Sequence, residues 1–550
     1  MEATHTVSSY LIQKLYECGI KHIFGVPGDY ILGFYDELIR SKMLKVVNTC
    51  DEQGAAFAAD AYARIKGFGA VCITYCVGGL KVVNATAQAY AEKSPVAVIS
   101  GAPGTKERTK NPLLHHLVRD YDTQQKIFEH ITVASTVLNN LSTVPAEIDR
   151  VLAMALRYKR PVYIELPRDM ISLPVVNVSN RMNGEYEEQS DPMAMTEAVE
   201  EATTMINASQ KPVIVAGVEI QRFRLQDELL QLIEKTGIPV VATILSKSVI
   251  SEYHPSYLGL YEGAMGDELA REDVESSDCL ILLGALLTDI DFGISVTPID
   301  QRHTINVTSE KLSIRHHNFE NVGLQPFVRN LRSANIRRRE PLRFRKKNGS
   351  GSTSFLADIG KKITVQRLFL RLSSFLTADT IVIADVGDSL FGALDLVIQR
   401  DTEFLSPAFY TSMGFAVPAS IGAQLANPKL RPLVIVGDGA FQMTGMEIST
   451  AVRFRLNPIV IVLNNDGYGT ERRLLDGPFN DLQRWEYKNI PEIVGGGRGF
   501  IINTEDEFDK ALESANQYLE GFCILDVRLD PKDGSAALQR LTDVLGKRVR

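Results

Sequence analysis

A chain of 550 residues with 45% hydrophobic and 23% charged side chains can bury a large core, and its length suits about three or four soluble domains. Its 59 basic against 67 acidic residues leave a net charge of −8, which argues against a nucleic-acid polyanion as the main ligand, and no apolar run approaches the roughly 18 residues of a membrane helix. Six cysteines without CxxC or finger spacing are expected to be small core residues in a reducing compartment, and "MEATHTVSSY" lacks a basic-then-apolar leader pattern, so a cytoplasmic location is expected.

In chain order, "KHIFGVPG", "KVVNTC", "AVCITY", "PVAVISGAPG" and "RPVYIELP" predict short β-branched strands separated by helices. The polar stretch from Asn177 to Pro192 predicts a linker. "KPVIVAGVEI", "IPVVATIL", "DCLILLG" and "HTINV" predict a second set, followed by a basic, then Gly/Ser-rich linker from Arg337 to Ser354. "TIVIADVG", "LVIVGDG", "PIVIVLNND" and "CILDVRL" predict a third. The fold class is therefore α/β, with three doubly wound parallel-sheet domains at residues 1–180, 190–338 and 356–550. Ligands of such sheets lie beyond the carboxyl ends of the strands.

The first block carries three notable segments. "TCDEQGAAFAADAYARIKG", Thr49 to Gly67, predicts an alanine-rich helix that packs backbone-close and ends at Gly67. Thr49 and Glu52 have capping-box spacing, so Glu52 reads either as a cap or as a functional charge. Asp29 in "GVPGDY" reads by default as a turn or N-cap residue. His115 and His116 in "NPLLHHLVRD" cannot both face the same way on a regular element, although at neutral pH either type could donate a proton or hold a carboxylate. A second pair, His316 and His317, reads as surface.

The sharpest signal is "VIVGDGAFQMTGMEISTAVRFRLNPIVIVLNNDGYGTE". One strand ends at Gly437-Asp438-Gly439 and the next at Asn464-Asn465-Asp466-Gly467, so a single crossover brings Asp438 and Asn465 to one sheet edge. A carboxylate, an amide oxygen and the Gly467 carbonyl suit Mg²⁺ shared with a diphosphate. Gly437 and Gly439 allow close backbone approach, and the following helix offers N–H groups to an anion.

This pattern resembles the thiamine diphosphate signature, and the whole chain resembles the 2-oxo acid decarboxylases of the pyruvate, indolepyruvate and phenylpyruvate group. "PGDY", "DEQGAAFAADAYARIKG", "AYAEKSPV", "LLHH", "GFAVPASIGAQ" and "GDGAFQMTG" carry the likeness. It implies a pyrimidine-binding, a middle and a diphosphate-binding domain, and non-oxidative conversion of a 2-oxo acid to aldehyde and CO₂ with thiamine diphosphate and Mg²⁺. It places Glu52 at N1′ of the aminopyrimidine, Thr411 and Met413 of "YTSMGFAVPAS" at the pyrimidine edge, and Gly437, Gly439, Ala440, Gly467 and Tyr468 around the diphosphate. Asp438, Asn465 and Gly467 become metal ligands, and Asp29, His115, His116 and Glu471 become catalytic candidates. It also implies a cofactor shared between chains in a homodimer or dimer of dimers (a homotetramer), with the alanine-rich helix at a subunit interface.

Two positions depart from the pattern. Ala440 follows GDG where many relatives carry a hydroxyl residue, and Asp388 in "ADVGDS" stands where many carry threonine, which is unexpected beside a diphosphate unless it turns toward the 4′-amino group. "ADVGDSLFGALD", "GDGAFQMTG" and "FNDLQRW" lean toward the phenylpyruvate and indolepyruvate members, so a small-molecule 2-oxo acid with an aromatic or long side chain is the expected substrate. The rival reading is a thiamine-dependent synthase or oxidase, against which the His-His pair argues.

Overall fold

The computed structural model describes residues 5–175, 189–263, 266, 268–290, 299–340, 355–398 and 404–549. Most of the two expected linkers, residues 177–188 and 341–354, lies outside the described residues. Three sheets organise the rest. The first joins β1 (His22–Gly25), β2 (Lys45–Asn48), β3 (Gly69–Ile73), β4 (Val96–Ala102), β5 (Ala134–Val137) and β6 (Val162–Pro167) in the order β2-β1-β3-β4-β6-β5, all parallel. The central strands β3, β4 and β6 are buried along their whole length, which is why they read as unbroken apolar runs.

The middle sheet joins β7 (Pro212–Ala216), β8 (Val240–Ala242), β9 (Tyr257–Leu260), β10 (Cys279–Leu283), β11 (Thr304–Val307), β12 (Leu312–Ile314) and β13 (His317–Phe319) in the order β13-β12-β11-β10-β7-β8-β9. Five strands pair in parallel; at one edge β12 pairs antiparallel with β11 and β13 antiparallel with β12, a departure from the purely parallel sheet expected. His316 and His317 sit exposed there, as expected, with His317 paired to Glu201 at 2.9 Å. The third sheet joins β14 (Thr380–Ala384), β15 (Phe404–Leu405), β16 (Arg431–Gly437), β17 (Ile459–Asn464), β18 (Arg498–Ile502) and β19 (Cys523–Arg528) in the order β15-β14-β16-β17-β19-β18, all parallel.

The chain divides into two compact units. One holds the first sheet together with Tyr410–Leu430 and Thr444–Leu456, although those segments belong to the third block by sequence. The other holds the middle and third sheets, whose apolar faces run into one continuous core from Met195 to Ala537.

Within the first unit, the helix Glu52–Lys66 is capped by Asp51, whose carboxylate accepts the Gln53 N–H at 2.8 Å, and it ends at Gly67 in the left-handed region at φ 99°. Its alanines are buried against the helix Ala416–Ala426. The approach is so close that a Cβ on Gly422 would lie 1.9 Å from the Ala58 carbonyl oxygen. The small-residue face assigned from the sequence to a subunit interface is thus covered by a helix of the same chain. The Arg64 side chain on this helix is only 2% exposed and forks between Asp60 and Glu92 at 2.8 Å each, so the buried charges are paired and hydrogen-bonded. Glu92 also accepts the Tyr410 N–H at 2.9 Å, which ties down the segment carrying Thr411 and Met413.

Five of the six cysteines are buried free thiols and Cys50 is exposed. Arg339, expected in a solvated linker, is half-buried and donates to the Ile206 carbonyl at 2.5 Å. No described helix is long and apolar enough to cross a membrane.

Candidate active site

In the first unit, the loops at the carboxyl edge of the sheet gather a cluster of titratable groups. Asp29 follows β1 in a loop that presses on Thr74: a Cβ on Gly28 would lie 2.4 Å from Thr74 Cβ, so glycine is required there. His115 Nε2 lies 2.8 Å from Asp29 Oδ2. His116 adopts φ 67°, and this left-handed turn swings its ring back beside that of His115, with centroids 4.7 Å apart. The two imidazoles therefore converge because they sit on a turn, not on the regular element for which divergence was expected. Tyr30 backs both rings at 4.9 and 5.8 Å, and its hydroxyl donates to the His115 carbonyl at 3.2 Å.

Glu52 occupies the first helical turn after β2. The capping-box reading is overturned, since Asp51 is the cap and the Thr49 hydroxyl donates to the Asp51 carbonyl at 3.0 Å. Glu52 Oε2 instead pairs with Lys81 Nζ at 2.7 Å, and Lys81 also pairs with Asp51. Below the cap, buried Glu447 accepts the Cys50 N–H at 3.1 Å and the Thr450 hydroxyl at 2.5 Å; burial raises its carboxyl above the usual range. Thr411 is exposed at φ 57° and Met413 is half-buried beside it.

In the second unit, β16 and β17 pair in parallel with Gly437 opposite Leu463, so Asp438 and Asn465 leave the same sheet edge. Asp438 accepts the Gly439 N–H at 2.8 Å and the Gly467 N–H at 3.1 Å. Burial pushes its carboxyl up to about 6, with Asp466 adding repulsion. A carboxylate this buried, held by backbone N–H groups and facing a like charge, suits a cation. A Cβ on Gly437 would meet nothing within 4 Å, so this chain's own packing does not require glycine there and the backbone is open to an incoming group. A Cβ on Gly439 would strike Tyr468 at 2.6 Å, and one on Gly469 would lie 2.7 Å from Asn465 Nδ2, so the two glycines let Tyr468 and Asn465 close in. Ala440 is buried. These residues fit a metal-bound diphosphate.

At Asp388 the structure supplies a partner that the sequence did not show. Its half-buried carboxylate accepts the Ser535 N–H at 3.0 Å together with the Ser535 hydroxyl, which anchors the start of the C-terminal helix Ala536–Val549. Glu471 lies exposed in the first turn of the helix Gly469–Leu474. The sequence reading missed Tyr30, Lys81, Glu92, Glu447 and Asp526, the last of which accepts the Asn464 amide at 2.7 Å. Tyr30, Glu92 and Glu447 fall in or beside segments already singled out ("PGDY", "AYAEKSPV", "GDGAFQMTG"), whereas Lys81 and Asp526 carried no motif signal.

Models of thiamine pyrophosphate enzymes match the chain three times: the N-terminal TPP binding domain at residues 5–127, the central domain at 199–333 and the C-terminal TPP binding domain at 385–527. The chain is 36% identical to an indole-3-pyruvate decarboxylase of Azospirillum brasilense across 92% of each protein. It is 32% identical to an alpha-keto-acid decarboxylase of Mycobacterium leprae, covering 98% of this chain and 96% of that one. With pyruvate decarboxylase 4 of Arabidopsis thaliana the identity is 30%, over 97% and 90% of the respective chains.

Proposed function

The chain belongs to the 2-oxo acid decarboxylase family of thiamine pyrophosphate enzymes, and from that premise we propose that its substrate is an aromatic or long-chain 2-oxo acid such as phenylpyruvate or indolepyruvate, with Mg²⁺ as the metal. The enzyme is a thiamine diphosphate-dependent decarboxylase. The observation that carries the aromatic reading is the higher identity to the indole-3-pyruvate decarboxylase than to the pyruvate decarboxylases.

Bound thiamine diphosphate supplies the carbanion chemistry that lets a 2-oxo acid lose CO₂. Asp438, the Asn465 amide oxygen and the Gly467 carbonyl would hold Mg²⁺, and Gly437, Gly439, Ala440 and Tyr468 would line the diphosphate seat. Glu52 would hold and exchange a proton at the pyrimidine N1′ of bound cofactor, and its Oε2 would then exchange Lys81 for that partner. Thr411 and Met413 orient the pyrimidine, steadied through Tyr410 by Glu92. An ionised Asp29 can only accept, so it faces the His115 Nε2–H and fixes that tautomer. His115 and His116 then deliver the proton that completes the aldehyde. Glu471 receives the substrate carboxylate.

The synthase or oxidase rival asks the middle sheet to bind a flavin where its strand order reverses, between β7 and β10. There a Cβ on Gly217 would lie 2.1 Å from Ala285 Cα, and the buried Glu219 carboxylate accepts the Ser309 N–H at 2.8 Å. A carboxylate in a closed crevice disfavours a dinucleotide phosphate. The unpaired thiols suit a reducing cytoplasm, and the assembly we propose is a homodimer or dimer of dimers.

The test is a comparison of kcat/KM for pyruvate, branched 2-oxo acids, phenylpyruvate and indolepyruvate in a coupled aldehyde assay. An aromatic substrate is expected to lead by at least tenfold. A lead for pyruvate would overturn the substrate assignment.

A further inference from the structure

Asp29, His115 and His116 each offer one ligand atom, and the three atoms lie within 4.8 Å of one another. Two imidazoles and one carboxylate form a donor set suited to zinc-class cations, whereas Mg²⁺ prefers all-oxygen sites such as the one at Asp438. The set is preformed. The left-handed turn at His116 sets its ring beside that of His115, and the Tyr30 ring packs behind both imidazoles. His116 Nδ1 is buried without a hydrogen-bond partner in this arrangement. The Asp29 and His115 side chains are 44% and 57% exposed, so a cation can reach them from solvent.

Metal–ligand distances of about 2.0–2.2 Å place tetrahedral donor atoms roughly 3.3–3.6 Å apart. Asp29 Oδ2 and His115 Nε2 are at 2.8 Å and would open slightly. His116 would close by about 1 Å, within the reach of a side-chain rotation. We propose that Asp29, His115 and His116 form an inhibitory binding site for a zinc-class divalent cation, which silences the enzyme by occupying its proton-handling groups. The inhibitory consequence rests on the decarboxylase mechanism above; the site itself rests on the donor geometry alone.

The experiment uses the full chain saturated with thiamine diphosphate and excess Mg²⁺, in a Cys50→Ser background to remove the exposed thiol, with Co²⁺ as the spectroscopic probe. Co²⁺ is expected to give the intense visible bands of four- or five-coordinate geometry and to resist displacement by further Mg²⁺. Asp29→Asn, His115→Gln and His116→Gln should each weaken Co²⁺ binding at least tenfold, while His317→Gln leaves it unchanged. In parallel, micromolar free Zn²⁺ should stop turnover, and a chelator selective for Zn²⁺ over Mg²⁺ should restore it. Bands that survive His116→Gln, or that vanish on adding Mg²⁺, would overturn the proposal. The Co²⁺ spectrum decides the site even if the substrate panel failed to show decarboxylation.

Discussion

The Gly467 N–H donates to Asp438 Oδ2 at 3.1 Å across 29 residues of chain. The bond closes the turn after β17 onto the end of β16 and points the Gly467 region at the carboxylate. Asp438→Ala should therefore both remove a metal ligand and release that turn. We expect thiamine diphosphate to be lost on dialysis with a chelator, and activity to return only partly at high Mg²⁺ and cofactor. Asp438→Asn keeps an acceptor for Gly467 and should retain the fold while binding Mg²⁺ at least tenfold more weakly. Calorimetric titration with Mg²⁺ and cofactor checks both, and undiminished affinity in Asp438→Asn would refute the metal assignment.

The contact between Gly422 and Ala58 is the tightest test of the helix pair. A methyl group at 422 would lie 1.9 Å from a carbonyl oxygen on a buried helix, where neither backbone can retreat cheaply. Gly422→Ala should cost at least ~3 kcal/mol of stability, at the upper end of overpacking effects. The midpoint of urea unfolding reads it out.

For Glu52, the acid–base role predicts that Glu52→Gln loses about 10²–10⁴ in kcat, the usual worth of a positioned proton-transfer group. Cofactor affinity should change little, because the diphosphate is held elsewhere. The same substitution leaves the Asp51 cap intact, so thermal stability should be nearly that of the parent. A stable variant with full activity would return Glu52 to a structural role.

The interior of each sheet was legible in the sequence, and of its edges only β2 was. β3, β4, β10 and β17 are buried on both faces and announce themselves as apolar runs. The strands that were missed, β5, β9, β12, β13, β15 and β18, all lie at or next to sheet edges, where most are partly exposed or very short and the double-sided signal fades. The site divides in the same way. Asp438 and Asn465 were found because one crossover fixes their relation. The convergence of His115 and His116 was not, because it depends on one positive φ that no periodicity encodes. Lys81 was invisible because a lysine gains meaning here only from the two carboxylates that the fold brings to it.

His22 gives a pH test of the same unit. Burial, with Lys45 and Lys66 adding repulsion, lowers its pKa to about 4, and its Nδ1 has no partner. An unfolded histidine titrates near 6.5, so between about 6.5 and 4 the unfolded chain binds a proton that the folded chain refuses. Stability should fall as pH drops through that window. Because the ring is only partly buried, the loss is about 1–2 kcal/mol. His22→Phe keeps an aromatic ring against Tyr62, 5.7 Å away in the parent, and cannot be protonated. Its unfolding midpoint should lose that part of the acid sensitivity, and an unchanged pH profile would contradict the assignment.

The last prediction separates the His pair from Glu471. After CO₂ leaves, the substrate carbon must gain a proton before aldehyde departs. Asp29 holds His115 at 2.8 Å, and His116 stands against the same ring, so the three side chains act as one proton source. His116→Gln keeps size and hydrogen-bonding capacity but cannot deliver a proton at neutral pH. With the proton late, a second aldehyde becomes the competing electrophile, and 2-hydroxyketone should rise relative to free aldehyde while CO₂ release continues. Asp29→Asn should give the same shift, because an amide no longer fixes the His115 tautomer or stabilises its charged form. Glu471→Gln should act earlier, slowing CO₂ release itself without raising the ketone share, and cofactor binding should stay near that of the parent. Chromatographic product ratios alongside CO₂ evolution distinguish the two patterns. If His116→Gln slows CO₂ release and leaves the product ratio unchanged, the pair handles substrate binding and the proton role assigned to it is wrong.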